Sequence, residues 1–186
     1  MDWSAVFDQA MTYGAFLDRH AKPAEHARWD AMDARVALTD AQRLTLGGFA
    51  RRMPVVCVAG AWCGDCVNQC PIFDHYAAAS TAIDLRLIDR DALPELRDAL
   101  AINGGHRVPA VVFLSEDYRA VARYGDRTLS RYRELAAQQL GPACPTGIVP
   151  PGDDATALVV AEWLGEFERA QLVLRLSGRL RQLHGD

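Results

Sequence analysis

Ala61-Trp62-Cys63-Gly64-Asp65-Cys66 is the stretch that decides how this chain is read. A short apolar run, Pro54-Val55-Val56-Cys57-Val58-Ala59, leads into it, and a helix-like segment, Val67 to Ala79, leads away. Two cysteines separated by two residues, at the joint between a buried strand and a helix, read as a dithiol redox site. The reason is geometric. With Cys63 at the first turn of the helix, its sulfur lies near unpaired backbone N–H groups and the positive end of the helix dipole, and both favour a thiolate. Such placement lowers a thiol pKa from about 8.5 to roughly 3.5–7.5. Cys66, one turn further on, can close a disulfide with Cys63. Gly64 lets the chain turn sharply and leaves the first sulfur uncovered, and Trp62 offers an apolar flank beside it.

Other uses of paired cysteines fit less well. A zinc site needs four ligands, usually through a second C-x-x-C or a closely spaced His pair. Cys57, Cys70 and Cys144 supply no such pair, and the five histidines fall in no H-x-x-x-H pattern. Cys63-x2-Cys66-x3-Cys70-Pro71 echoes part of a ferredoxin cluster motif. The residue three before Cys63 is Gly60, however, so Cys57 would have to serve from inside a strand.

About 40 residues after the cysteines comes Arg107-Val108-Pro109, followed by Ala110-Val111-Val112-Phe113-Leu114. A proline heading an apolar strand, after the Gly104-Gly105 turn, is a place for a cis X–Pro bond. With these residues the chain resembles the thioredoxin superfamily. Trp62-Cys63-x-x-Cys66, Pro71 inside the following helix, Pro109 at the head of the next strand and Gly125 after the last one match in order and spacing, over roughly 53–140. Chains with Trp-Cys-Gly-Asp-Cys and helices ahead of the core resemble a bacterial branch of thioredoxin family proteins.

The resemblance implies an α/β thioredoxin-like fold, a central mixed sheet flanked by helices, and thiol–disulfide exchange. Cys63 would be the nucleophile and Cys66 the resolving thiol. Trp62, Gly64, Asp65, Arg107, Val108 and Pro109 would shape the substrate groove, with Val108 offering strand-like backbone hydrogen bonds. His106 and Arg107 would lie near the thiol. The substrate would be a protein or small-molecule disulfide, and the electrons would come from a reductase or dithiol donor. No bound organic cofactor and no metal are implied.

Two positions depart from the family pattern. Cys57 stands six residues before Cys63, where thioredoxins usually hold a buried acid. Asp65 stands where they most often have proline. About 7 Å from the Cys63 sulfur, its charge should cost a thiolate on the order of 1 kcal/mol and bias the site towards a reductant. Cys66, Cys70, Phe73 and Ala77 step along one core-facing stripe, so Cys70 reads as packing. A Cys66–Cys70 disulfide does not fit an intact helix, because residues four apart have Cβ atoms about 5–6 Å apart whereas a disulfide wants about 3.5–4.5 Å. Pro71 distorts the helix just beyond.

At 186 residues the chain can bury one full core. Half of it is apolar, and the net charge is −4, which gives no electrostatic footprint for nucleic acid or a membrane surface. The start, Met1-Asp2-Trp3-Ser4-Ala5, has no signal-peptide pattern, and no apolar run approaches 18 residues. The expected setting is cytoplasmic, where five cysteines mean a catalytic pair plus buried thiols rather than structural disulfides.

Three segments are expected. Residues 1–52 form a helical extension: Asp2 caps a first helix carrying Trp3, Val6, Phe7, Ala10 and Met11. A second helix, Ala24 to Leu38, carries Trp29, Met32 and Val36. Thr39 caps a third, Asp40 to Arg51, with Leu44 and Phe49 inward. Residues 53–141 form the redox core: strands at Val55–Ala59 and Ile83–Asp89, a helix at Asp91–Ala101, a hairpin of Ala110–Leu114 with Arg119–Tyr124, and a helix Arg131–Leu140 capped by Ser130. That order argues for parallel central strands. Residues 142–186 supply a Pro/Gly-rich linker, with Cys144 as an exposed thiol, and one last helix from Asp154 to Leu183. The competing reading is a thioredoxin-fold binding or scaffold module whose dithiol is not catalytic.

Overall fold

The structure is a computed structural model that describes residues 1–140 and 155–186; Cys144 and the expected linker lie outside the described residues. Its centre is β1 (Met53–Ala59), buried at every position. The β-branched run Val55-Val56-Cys57-Val58 packs on both faces at once, which a strand with a solvated side could not do. β1 pairs in parallel with β2 (Ile83–Asp89), in register from Met53–Ile83 to Ala59–Asp89. On its other side it runs antiparallel to β3 (Ala110–Leu114), which turns back into β4 (Ala120–Gly125). The sheet order is β2-β1-β3-β4. The sheet is therefore mixed, and only β1 and β2 are parallel, not the whole centre as the element order suggested.

The helices α1 (Trp3–Gln9), α2 (Tyr13–His20), α3 (Pro23–Asp33) and α4 (Asp40–Gly47) precede the sheet. The first helix stops before Met11. The Thr12 side chain accepts the Ala15 N–H to cap α2, and the freed Met11 exchanges two 2.7 Å backbone hydrogen bonds with Leu87. This short antiparallel bridge covers the outer edge of β2, which would otherwise present unpaired backbone groups. α4 ends at Gly47 rather than Arg51, and its inward residue is Leu46, fully buried, while Leu44 is 80% exposed. The Thr39 capping box with Gln42 sets the helix phase and turns Leu44 outward. Arg51, in the bend before β1, is buried. The Gln171 amide holds its backbone N–H at 2.8 Å and its carbonyl at 2.9 Å.

α5 (Gly64–Ala79) follows the motif and α6 (Pro94–Ala99) joins β2 to β3. α7 (Leu129–Leu140) starts earlier than expected. Ser130 sits inside it, with its N–H and hydroxyl held by the Glu162 carboxylate at 3.0 and 2.8 Å. A side chain distant in sequence thus does the capping assigned to Ser130. The C-terminal segment is two helices, α8 (Ala155–Arg175) and α9 (Gly178–His184), because the Ser177 side chain caps α9 through the Leu180 N–H. α8 lays Val160, Trp163, Phe167 and Leu174 on the core. Trp163 meets Phe73 edge-on at 4.5 Å between ring centroids, and Phe167 meets Phe113 at 4.9 Å. This aromatic seam fixes α8 across both α5 and β3.

Candidate active site

The redox motif sits where β1 gives way to α5. Gly60 opens the loop because a Cβ there would lie 2.7 Å from the Trp62 ring. Trp62 is 49% exposed, with the Arg90 guanidinium 4.7 Å from its ring centroid. Cys63 is the N-cap of α5, extended at φ −80° and ψ 122°, and its sulfur accepts the Cys66 N–H at 3.4 Å. Ion-like capping of this kind is what a helix N-terminus offers a thiolate. Gly64, exposed, leaves the approach to the sulfur open.

Across the cleft, the Val108–Pro109 peptide is cis, and the Val108 carbonyl oxygen is 3.5 Å from the Cys63 sulfur. Gly125, at φ +140°, lets the end of β4 close over this segment; a Cβ there would collide with the Pro109 carbonyl oxygen. The motif and the proline loop, about 45 residues apart in sequence, thus face each other over one sulfur.

The two motif thiols act on each other's ionisation. Burial opposes ionisation of Cys66, but hydrogen bonds from Cys63 and Cys70 outweigh it and bring that thiol down to about 5. The hydrogen bond to Cys66, and then burial, hold the Cys63 thiol up, while the backbone N–H groups of Cys66 and Asp65 pull the other way. The first proton therefore leaves the pair readily and the second with difficulty, as in any closely coupled pair. The sulfur that accepts N–H groups at the helix terminus and lies beside the exposed Gly64 is that of Cys63, so moving the remaining proton to Cys66 puts the charge where a partner molecule can meet it.

Asp65 lies in the first turn of α5, and its carboxylate is 2.6 Å from Arg127 Nη2. Its charge is therefore offset by a cation that the sequence reading did not single out. Arg107 turns to Asp126 at 3.3 Å, and His106 pairs with Asp98 at 3.1 Å, so the basic side chains expected beside the thiol are engaged by carboxylates instead. Asp126 is 2% exposed. Against its burial, hydrogen bonds from Tyr132 and Arg107 and the charge of Arg127 hold its carboxyl below the usual range. Gln69 ties this turn to α5: its amide donates to the Asp65 and Asp126 carbonyls, both at 3.0 Å, and its oxygen accepts the Trp163 indole N–H at 2.7 Å. On the other flank the Trp29 indole N–H donates to the Ala61 carbonyl at 2.9 Å.

Trp29, Gln69, Asp126, Arg127, Tyr132 and Trp163 were not legible as site residues. The one signal available was that a buried indole N–H needs an acceptor. Among the described residues no group of three or more His, Cys, Asp or Glu side chains is arranged to hold a metal ion, and no helix is long and apolar enough to cross a membrane.

A mixed sheet flanked by helices, with a Cys-x-x-Cys pair capping the helix after its central strand, defines a thioredoxin-like α/β protein. Residues 10–138 match a family model described as thioredoxin, and the chain belongs to that family. The match takes in α2 to α4 as well as the motif-bearing sheet. Among solved structures, a protein of unknown function from Pseudomonas aeruginosa, PA1234, is similar with a TM-score of 0.63 at 22% identity, over 94% of this chain and 96% of that one. An HIV epitope-scaffold, 4E10, is similar with a TM-score of 0.62 at 19% identity, over 100% of this chain and 99% of that one. At these identities the likeness is one of fold. No curated protein matches the chain in sequence.

Proposed function

We propose that this protein is a thiol–disulfide oxidoreductase that reduces protein or small-molecule disulfides through Cys63 and Cys66. The observation that carries the reading is the position of the Cys63 sulfur, on the N-terminus of α5 and 3.5 Å from the carbonyl of Val108 in the cis-proline loop. In the first step the Cys63 thiolate attacks one sulfur of the substrate disulfide. A mixed disulfide forms, the substrate S–S bond breaks, and the released thiolate takes up a proton. In the second, Cys66 attacks the Cys63 sulfur, closing the Cys63–Cys66 disulfide and releasing the other half of the substrate. Two electrons leave the protein dithiol, and a reductase or dithiol donor returns them.

Trp62 and Pro109 bound the groove, and the backbone of Val108 offers a substrate segment strand-like hydrogen bonds. Gly64 keeps the approach to the thiolate open, Asp65 with its partner Arg127 sets the charge beside it, and Arg107, held by Asp126, borders the groove. A reductant of this kind suits a reducing compartment such as the cytoplasm. The test is disulfide reduction by wild type, Cys63→Ser and Cys66→Ser, with trapping of intermediates. The expected result is turnover by wild type alone and a mixed disulfide on Cys63 that accumulates in Cys66→Ser. Absence of a Cys63–Cys66 disulfide across dithiol/disulfide buffers of every potential would overturn the reading and favour a binding module.

A further inference from the structure

Behind the motif, β1 and α5 bring two more sulfurs together. Cys57 of β1 and Cys70 of α5 are fully buried, and their Sγ atoms are 3.7 Å apart. Cys66, fully buried as well, stands between this pair and Cys63 on α5, three residues after Cys63 and four before Cys70. The four described cysteines, all free thiols, form one continuous file from the groove into the core.

We propose that Cys57 and Cys70 are a second redox couple, charged and discharged through the Cys63–Cys66 disulfide, so that one molecule stores four electrons rather than two. The proposal rests on the oxidoreductase reading above, which supplies the Cys63–Cys66 disulfide. From there the Cys70 thiolate attacks the Cys66 sulfur. The Cys66–Cys70 bond forms, the Cys63–Cys66 bond breaks, and Cys63 leaves as a thiolate and ends with the proton that Cys70 gave up. Cys57 then attacks the Cys70 sulfur. The Cys57–Cys70 bond forms, the Cys66–Cys70 bond breaks, and Cys66 takes the proton from Cys57. The net change is oxidation of the buried pair and reduction of the surface pair, with two electrons and two protons exchanged and no outside reagent beyond the disulfide substrate.

The geometry favours the end of this sequence over its middle. Cys57 and Cys70 approach from different elements, and their sulfurs need to close by only about 1.7 Å to reach bonding distance. Cys66 and Cys70 stand one turn apart on one helix, where a disulfide requires the turn to open. Pro71 makes that turn the weak point of α5, because it has no N–H to give to the carbonyl of Val67. The Cys66–Cys70 disulfide is therefore a passing intermediate and Cys57–Cys70 the resting oxidised form. Burial keeps Cys70 protonated, so the internal steps run slower than the first exchange with substrate.

The test equilibrates the full chain with glutathione/glutathione-disulfide buffers, alkylates the remaining thiols in denaturant and maps each cysteine by peptide, so that Cys144 is counted apart. The expected result is that wild type loses four motif and core thiols and yields a Cys57–Cys70 peptide. C57A should lose two, a twofold fall in capacity. C66S should keep Cys57 and Cys70 free, because glutathione disulfide reaches them only through Cys66. Wild type that stops at two lost thiols, or a Cys57–Cys70 disulfide that forms equally in C66S, overturns the relay alone. A wild-type protein that loses no motif thiol at any buffer ratio overturns the oxidoreductase reading and the relay with it. Peptide mapping of wild type carries the test even if the core substitution fails to fold.

Discussion

Removing the charge of Asp65 should make the motif a weaker reductant, and removing Arg127 should make it a stronger one. The Asp65 carboxylate lies in the first turn of α5, largely shielded from solvent, with Arg127 Nη2 at 2.6 Å. A negative charge about 7 Å from a thiolate costs about 1 kcal/mol at an effective dielectric near 50, which is about 0.7 of a pKa unit. Asp65→Asn removes that repulsion, so the apparent pKa of the dithiol falls, the thiolate form gains, and the reduced protein is stabilised. For a two-electron couple the same energy raises the reduction potential by about 20 mV. Arg127→Gln acts in the opposite sense, because it leaves the carboxylate without its compensating cation. Its effect should be smaller, since the guanidinium is shared between Asp65 and Asp126. The double variant should fall between the two. Redox equilibration against dithiothreitol buffers gives the potential, and thiolate ultraviolet absorbance against pH gives the pKa. A potential for Asp65→Asn equal to or below that of wild type, or one for Arg127→Gln above it, would refute the electrostatic account.

Three further outcomes follow from the geometry. Thiolate ultraviolet absorbance of the reduced protein should show a first ionisation below the ordinary thiol value of about 8.5, absent from Cys66→Ser, because hydrogen bonding brings the Cys66 thiol down against its burial; a first midpoint at or above about 8.5 would refute this. Trp29→Phe deletes the donor to the Ala61 carbonyl, so urea unfolding should show a loss of about 1–3 kcal/mol, and a loss below about 0.5 kcal/mol would mean that water or another donor replaces it. Gly125→Ala forces a Cβ against the Pro109 carbonyl at φ +140°, so disulfide reduction and stability should fall together, the latter by about 1–3 kcal/mol; wild-type activity in this variant would show that the proline loop can move without consequence.

The joint between β1 and α5 could be read from sequence because its signals are local. A β-branched run, a glycine and two cysteines at fixed spacing sit within 15 residues, and Pro109 marks its own strand. Errors came where one pattern serves two structures. Met11 is apolar at a helical step, yet the same side chain suits a sheet edge, and only the free edge of β2 decides between them. Leu44 and Leu46 both offer an apolar residue for α4, and the capping box picks the phase. Ser130 looked like a cap because a hydroxyl before a helix usually is one, but Glu162, 32 residues on, does the work. The partners of Asp65 and Arg107 were out of reach for the same reason: Arg127 and Asp126 come to the motif only through the pairing of β3 with β4 and the turn that follows.

The helices outside the strand–motif–helix core bear directly on the redox loop. Trp29, from α3, reaches the carbonyl of Ala61 just ahead of the motif. Trp163, from α8, reaches Gln69, and Gln69 holds the Asp126 turn against α5. One indole from each end of the chain thus fixes one side of the same loop, and both are fully buried. Strip away the two flanking segments and the Ala61 carbonyl and the Gln69 oxygen lose these donors inside what had been core, while Phe73 and Phe113 lose the ring of Phe167 that covers them. Each orphaned polar group costs about 1–3 kcal/mol, a large share of the total stability of a domain this size. The groove around Cys63 is therefore held from both sides, by the helices before the sheet through Trp29 and by α8 through Trp163.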